Sequence, residues 1–296
     1  MKANNMFSLY HPIGLFIYLI SVIVITMFTI NPIMLSIALV GGILYILTVT
    51  NIKSFLKGII YEIPFFILIV ITNPLFSHNG VTPLFFLNGN PITLEAILYG
   101  LDIGIMILAV IYWCKTYNLV FSDEKFIYLF GKIIPKLSLV LSMALKYIPL
   151  LKKQYRKMSD ARKYMGYCNS EDFFAKVKNK LTVFSMLITW SFETSLDTAM
   201  SMKIKGYGLK GRTHFHNFRF GYRDSILLIL TIIIDVIVFW GMTNKITQFY
   251  FYPSIAEGEL NLFSVGVYGA FGILAFIPSF IEIKEKVKWK YYVERI

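Results

Sequence analysis

Long apolar stretches separated by short polar ones fill the first 116 residues, and two more follow a long polar stretch. A helix needs about 20 consecutive apolar residues to cross a bilayer. The composition, 56% hydrophobic and 16% charged, exceeds the apolar content that a soluble chain of 296 residues needs. The pattern therefore predicts an all-α polytopic membrane protein with about six transmembrane helices. The candidate spans are Ile13–Ile30, Ile33–Thr50, Gly58–Phe76, Ala96–Trp113, Ile226–Met242 and Leu260–Ile281.

The polar stretch, residues 117–224, predicts two long helices. Pro135 suits the first position of a helix that would run to Met165. Ser170 is a favourable N-cap, and the two acidic residues after it suit the first turn of a second helix running to Lys205. Both helices have apolar middles and basic ends, which favours a crossed pair that packs at the middles, near Ser142, Ala144, Ser185 and Leu187. A plain helical hairpin remains the alternative.

Three regions follow from this pattern. Residues 1–116 carry the N-terminal transmembrane helices, residues 117–224 the polar helices, and residues 225–296 the C-terminal transmembrane helices with a basic tail. The loop after the third span, residues 73–91, is rich in Asn, Gly and Pro and predicts ordered turns.

Basic residues orient the chain in the membrane. With the N-terminus inside, the outer loops (31–32, 77–93 and 244–259) hold one basic residue, Lys245, and the other 28 of the 29 lie inside. The positive-inside rule therefore predicts a multi-pass protein of the cell membrane with both termini cytoplasmic.

The formal net charge of +12 is also localised. Residues 115–224 hold 20 Lys/Arg and 8 Asp/Glu, and the rest of the chain holds nine of each. Positive-inside bias and attraction to anionic headgroups of the lipid bilayer explain part of this excess. No nucleic-acid partner is expected.

Two pentads in the polar region match each other, KYMGY at 163–167 and KIKGY at 203–207. Glycine enters the left-handed conformation cheaply and is typical of the position just past a helix end. Lysine in the last turn suits the negative end of the helix dipole. The repeat predicts two helices with similar basic ends, which fits docking to a partner with two similar receptors.

Motifs for catalysis or cofactor binding are weak. Residues 206–211 fit a G-x-G-x-x-G pattern but lack the preceding strand that dinucleotide binding requires. His214 and His216 form an H-x-H pair with no third ligand nearby. We therefore expect no enzyme activity, no cofactor and no resident metal.

Three carboxylates fall within predicted spans: Glu62, Asp102 and Asp235. Ionisable groups inside a membrane are costly and often mark function. An ion-coupled carrier or membrane enzyme that uses Asp102 and Asp235 is therefore the alternative hypothesis, beside a structural role for both.

The run WSFETSLDTAMSMKIKGYGLKGRTHF, residues 190–215, resembles the signature of the transmembrane T component of energy-coupling factor (ECF) importers, a CbiQ-like family. The run NPLFSHNGVTPLFFLNGNPITLEAILYG, residues 73–100, supports the same resemblance. The resemblance implies two long cytoplasmic coupling helices that form an X and dock onto two ATP-binding cassette ATPase subunits. It also implies a substrate-binding membrane subunit and uptake of a vitamin or transition metal ion, with ATP hydrolysed on the partners.

In that family each coupling helix ends in an Ala-Arg-Gly motif, and the motifs fall here on Tyr164-Met165-Gly166 and Ile204-Lys205-Gly206. Both glycines are present, but Met165 and Lys205 replace the arginines. Lysine keeps the charge without the bidentate fork of arginine. The residues expected to contact the ATPases are Arg162, Lys163, Met165, Gly166, Lys203, Lys205, Gly206, Tyr207 and Arg212.

Overall fold

A computed structural model of the chain describes residues 5–77, 79–87, 90–131, 134–167, 173–207, 209, 218–257 and 261–293. The chain forms two compact units. The main unit comprises Met1–Ser122 and Phe218–Ile296, and the inserted unit comprises Asp123–Asn217. In chain order the helices are α1 (Pro12–Phe28), α2 (Pro32–Val49), α3 (Ile52–Phe76), α4 (Leu94–Val120), α5 (Asp123–Gly131), α6 (Pro135–Tyr164), α7 (Phe173–Ile204), α8 (Tyr222–Thr243) and α9 (Leu262–Val293).

Each of the six predicted spans falls on a helix of the main unit, which confirms a helical polytopic fold. By length and composition, α2, α3, α4, α8 and α9 are suited to cross a membrane. The first predicted span is the shorter α1, of 17 residues. At 1.5 Å per residue it rises about 25 Å, slightly less than a typical hydrocarbon core of about 30 Å.

Polar caps set the start of the first two helices. Both α1 and α2 begin with proline, whose fixed φ suits the first turn and whose missing N–H is not needed there. The His11 side chain accepts a hydrogen bond from the Ile13 amide at 3.3 Å, and Asn31 accepts one from the Ile33 amide at 3.0 Å. These contacts satisfy amides that the helices leave unpaired.

The core of the main unit lies where α2 packs against α4 and α9, and where α1 packs against α4 and α8. Trp113 and Tyr18 are fully buried there. Trp113 Nε1 donates to the Ala38 carbonyl at 2.9 Å, and Tyr18 Oη donates to the Leu274 carbonyl at 2.6 Å. The two large aromatic side chains thus bury their polar atoms with hydrogen-bond partners.

Two buried carboxylates fix the segment before α1. Asp224 accepts hydrogen bonds from the backbone amides of His11 at 2.7 Å and Gly221 at 2.8 Å. Glu282 accepts one from the Met6 amide at 3.0 Å. Hydrogen bonds from backbone amides offset part of the cost of burying these charges.

Short antiparallel strands join the helices at two places. β1 (Pro83–Leu87) pairs with β2 (Asn90–Thr93), and β3 (Phe249–Tyr250) pairs with β4 (Ala256–Glu257). The turns predicted for residues 73–91 therefore include a hairpin. Its first strand is the apolar run PLFFL, which the Asn- and Gly-based interpretation overlooked.

In the inserted unit, α6 matches the helix predicted from Pro135 to Met165 and ends one residue earlier, at Tyr164. Helix α7 ends at Ile204, close to the predicted Lys205. Its predicted N-cap, Ser170, lies outside the described residues. Helix α5 was not predicted, although Asp123 and Glu124 lie in its first turn, where acidic residues are favourable.

Polar contacts join the helices of the inserted unit. Ser138 Oγ on α6 donates to the Ile127 carbonyl on α5 at 3.3 Å. The hydroxyls of Tyr147 on α6 and Thr198 on α7 lie 2.7 Å apart. The expected contact between Ser142 and Ser185 stays a prediction, and the hydroxyl pair lies C-terminal to it on both helices.

Candidate functional site

The C-terminal end of α6 forms a Schellman motif. The Gly166 amide donates to the Lys163 carbonyl at 3.1 Å, and the Tyr167 amide donates to the Arg162 carbonyl at 3.2 Å. These two bonds satisfy carbonyls that the end of a helix otherwise leaves unpaired. The chain therefore leaves the helix abruptly after Met165.

The end of α7 repeats this arrangement position by position. The Gly206 amide donates to the Lys203 carbonyl at 3.1 Å, and the Tyr207 amide donates to the Met202 carbonyl at 3.0 Å. The Lys205 amide donates to the Ser201 carbonyl at 3.0 Å, as the Met165 amide does to Ala161 at 3.1 Å. The matched pentads thus encode matched backbone geometry.

Glycine is required at both ends for the same reason. Gly166 has φ +84° and Gly206 has φ +75°, in the left-handed region that side chains with a Cβ adopt at a cost. A Cβ on Gly166 would meet nothing within 4 Å, so space does not explain this glycine. The backbone conformation explains it.

The two ends carry exposed cations. Lys163 on α6, Lys203 on α7 and Lys205 just after α7 are exposed. Arg162 is less exposed and holds its guanidinium 5.0 Å from the centre of the Tyr167 ring, within cation–π range. Lys125 on α5, by contrast, is buried, and burial lowers the pKa of its ammonium group to about 8.

Apolar side chains also project from these ends, and the sequence interpretation did not select them. Tyr164 is 90% exposed and Ile204 is 86% exposed, at equivalent positions just before the two caps. Leu209 is exposed beyond the second cap. Their places in the matched pentads are the signal that could have identified the first two. Each end therefore offers an apolar contact beside its charge.

The middles of α6 and α7 are apolar and largely uncovered. Helix α6 has no buried residue, and α7 has one, Val183. Ile148 on α6 and Phe184 on α7 are more than half exposed, and Phe192 is 69% exposed. Large apolar side chains left exposed on both helices are typical of an interaction site or a membrane contact.

Eight of the nine residues expected to contact a partner lie at these two ends. Arg162, Lys163, Met165 and Gly166 belong to the first end, and the others belong to the second. Arg212, like His214 and His216, lies outside the described residues. Within the described part of the chain, no three His, Cys, Asp or Glu side chains group as metal ligands.

The carboxylates predicted inside the membrane occupy different settings. Glu62 on α3 forms an ion pair with Lys115 on α4. Asp102 on α4 is buried, and its Oδ1 has no hydrogen-bond partner among the described residues. Asp235 lies on α8 beside the Ser21 hydroxyl. Within the described part of the chain, no hydrogen bond joins Asp102 to Asp235.

Comparison with known proteins gives a family match over most of the chain. The model of the CbiQ family, described as cobalt transport protein, matches residues 4–215. These residues include α1 to α7 and both Schellman ends. They end before α8 and α9.

Individual relatives are named energy-coupling factor transporter transmembrane protein EcfT. The one from Lactococcus lactis subsp. cremoris is 27% identical over 212 residues, covering 67% of this chain and 79% of that protein. The one from Staphylococcus aureus is 27% identical over 211 residues, covering 67% and 78%. The one from Listeria innocua is 32% identical over 107 residues, where the chain spans 40% of the relative's length. The chain spans 59% of the relative from Brevibacillus brevis.

Proposed function

This multi-pass membrane protein belongs to the CbiQ family of cobalt transport proteins, and we propose that it is the transmembrane energy-coupling component of an ECF-type importer. The observation that carries the proposal is the pair of matching helix ends. Two helices of one chain end in the same hydrogen-bonded cap with exposed lysine beside it. One chain thereby presents similar ends to two similar partners, here two ATP-binding cassette ATPase subunits.

Docking at these ends uses both charge and apolar contact. Lys205 and Lys203 supply exposed cations at the second end, and Lys163 supplies one at the first. Tyr164 and Ile204 supply exposed apolar surface at the same places. A groove with acidic residues around an apolar floor would complement each end, because charges steer association and buried apolar contacts hold it.

Energy passes through the long helices in this proposal. Closure of the two ATPases on ATP moves the ends of α6 and α7, which are 30 and 32 residues long. Rigid helices carry that displacement to their apolar middles. The chain itself carries no catalytic residue for hydrolysis in this account and works through contacts on its partners.

The apolar middles of α6 and α7 bind a separate substrate-binding membrane subunit. Exposed side chains such as Ile148, Phe184 and Phe192 support this assignment, because a chain that worked alone would leave them uncovered. That subunit selects the cargo, a vitamin or a transition metal ion. Motion of the middles changes the accessibility of its binding site.

The inserted unit and both termini lie on the cytoplasmic side in this proposal. The 28-to-1 distribution of basic residues supports it. In a variant whose native cysteines are replaced by serine, Asn79→Cys is expected to react with an impermeant thiol reagent in intact cells. Tyr164→Cys is expected to react only after the cells are opened. Labelling of Tyr164→Cys in intact cells would refute the orientation.

Affinity purification of the tagged full-length chain from its native membrane tests the assembly. We expect two ATPase subunits and one small membrane protein in the purified complex, with ATP-dependent uptake after reconstitution. Recovery of the chain alone, together with uptake that needs no ATPase and is lost in Asp102→Asn, would instead favour the ion-coupled carrier.

A further inference from the structure

A groove of the main unit, bordered by α8, α9 and the segment before α1, has a part that contains charged side chains, here called the polar part, and an apolar part. Their volumes are about 530 Å³ and about 500 Å³. Tyr10, Arg223 and Ile281 line both parts, so the two adjoin within one groove. The volumes are those of small-molecule binding sites.

The polar part presents one free cation and two carboxylates. The Arg223 side chain is exposed and has no ion pair or side-chain hydrogen bond within the described part of the chain. Glu285 is partly exposed and lies 3.7 Å from Lys288 through its carboxylate. The carboxylate of Asp224 accepts hydrogen bonds from two backbone amides, so it contributes negative charge but is already engaged.

The apolar part extends along about one turn of α8 and about two turns of α9. Its walls are Ile226 and Leu230 of α8 and Ile273, Ile277 and Phe280 of α9. Both helices are apolar and long enough to cross a membrane. From this length and composition we place the apolar part along the hydrocarbon region, and Arg223 and Glu285 near its polar border.

We propose that this groove binds one zwitterionic phospholipid of the phosphatidylethanolamine type. Its phosphate pairs with Arg223, its ammonium group donates to Glu285, and an acyl chain fills the apolar part. Arginine holds phosphate through several N–H donors in a planar fork.

The charges of the lining favour this headgroup over others. An anionic headgroup would bring further negative charge towards Glu285 and Asp224, and like charges in a contact are unfavourable. A choline headgroup has no N–H to donate to Glu285, whereas ethanolamine offers three. The headgroup is thus defined by Glu285, which accepts from the ammonium group, and by Arg223, which donates to the phosphate.

Native mass spectrometry of the purified full-length chain tests the proposal. The detergent-solubilised chain is incubated with phosphatidylethanolamine, phosphatidylglycerol or phosphatidylcholine of identical acyl chains. We expect one retained phosphatidylethanolamine, with retention weakened about tenfold or more by Arg223→Ala, as for loss of charge-assisted hydrogen bonds. Glu285→Gln is expected to remove the preference for ethanolamine over choline while leaving phosphate binding.

Matched controls separate this site from general lipid adhesion. Arg219→Ala removes the same charge four positions away, outside the groove lining, and should leave retention unchanged. Ile277→Trp should block the apolar part, whereas Ile229→Trp adds the same bulk to α8 outside the groove. Glycerophosphoethanolamine, which has the headgroup without chains, should not displace the lipid, because the acyl chain provides most of the contact.

Three outcomes would overturn the proposal. Equal retention of the three lipids that Arg223→Ala does not change would mean annular lipid only. Preference for phosphatidylglycerol would mean an anionic-lipid site. If the partner membrane subunit covers the groove and the assembled complex retains no lipid, a protein helix occupies the groove instead.

Discussion

Trp113 in the main unit and Phe192 in the inserted unit are both large aromatic side chains on long helices, but their surroundings differ. Trp113 is fully buried and donates a hydrogen bond to Ala38, whereas Phe192 is 69% exposed. The same contrast extends over both units. The main unit buries Trp113 and Tyr18 with hydrogen-bond partners, whereas the inserted unit leaves most of the apolar middles of α6 and α7 uncovered.

This difference separates two uses of apolar surface. In the main unit, apolar surface stabilises the fold of the chain itself, because it is buried in the protein or faces the lipid instead of water. In the inserted unit most of the apolar surface of α6 and α7 is uncovered, so its stabilising contribution becomes available when a partner binds. Stability and assembly should therefore respond to different substitutions.

The largest expected contrast comes from truncating the two aromatic residues. Trp113→Ala should destabilise the chain by about 3–5 kcal/mol, because it removes a buried side chain and leaves a cavity. Phe192→Ala should change the stability of the isolated chain by about 0.5 kcal/mol or less, as expected for exposed positions. Thermal unfolding in detergent, followed by size-exclusion chromatography, measures both.

Phe192→Ala should affect assembly with the partner membrane subunit rather than the stability of the chain. Phe192→Ala should reduce co-purification of the partner membrane subunit although the chain remains folded. Unchanged co-purification in Phe192→Ala, Phe184→Ala and Ile148→Ala together would show that the exposed middles do not bind that subunit.

A smaller effect is expected from placing one methyl group on two glycines that both have open space. Gly166→Ala, at φ +84°, should loosen the last turn of α6 by about 1–2 kcal/mol, because left-handed backbone is costly with a Cβ. Gly266→Ala, inside α9, should be neutral or stabilise by about 0.5–1 kcal/mol. Hydrogen exchange followed by mass spectrometry compares the two helices. Equal protection in both variants would contradict the role given to the left-handed cap.

The smallest expected effect concerns the contact between α6 and α7. Tyr147→Phe should cost about 0.5–1.5 kcal/mol at most, because it removes one hydroxyl contact to Thr198. Cysteines at Tyr147 and Thr198 should crosslink more readily than cysteines at Ser142 and Ser185. Preferred crosslinking of the Ser142 and Ser185 pair would place the crossing where the sequence suggested instead.

The features that the sequence predicted, the spans and the two helix ends, depend on residues close together in the chain. The spans follow from unbroken apolar runs, and the helix ends at Gly166 and Gly206 follow from the conformational freedom of glycine beside lysine. Both signals lie within a few consecutive residues. The first span also shows the limit, because α1 ends at Phe28 and is shorter than the apolar run.

Contacts between distant residues were not predictable from these patterns. Asp224 and Glu282 hold the segment before α1 through backbone amides more than 200 positions away. In the sequence both carboxylates lie at the edges of predicted spans, like ordinary charged residues. Glu62, Asp102 and Asp235 were selected instead because they fall within predicted spans. The Tyr147 and Thr198 pair was missed because crossing positions depend on three-dimensional packing.

Retention of the ATPase subunits on the affinity-tagged complex in detergent tests the central claim most directly. Lys205→Glu should weaken retention, because it places negative charge against an acidic groove. Gly206→Val should also weaken it, because a β-branched residue resists φ +75°. Lys205→Arg is the matched control and should retain both ATPases. Full retention in both Lys205→Glu and Gly206→Val would contradict docking at this helix end.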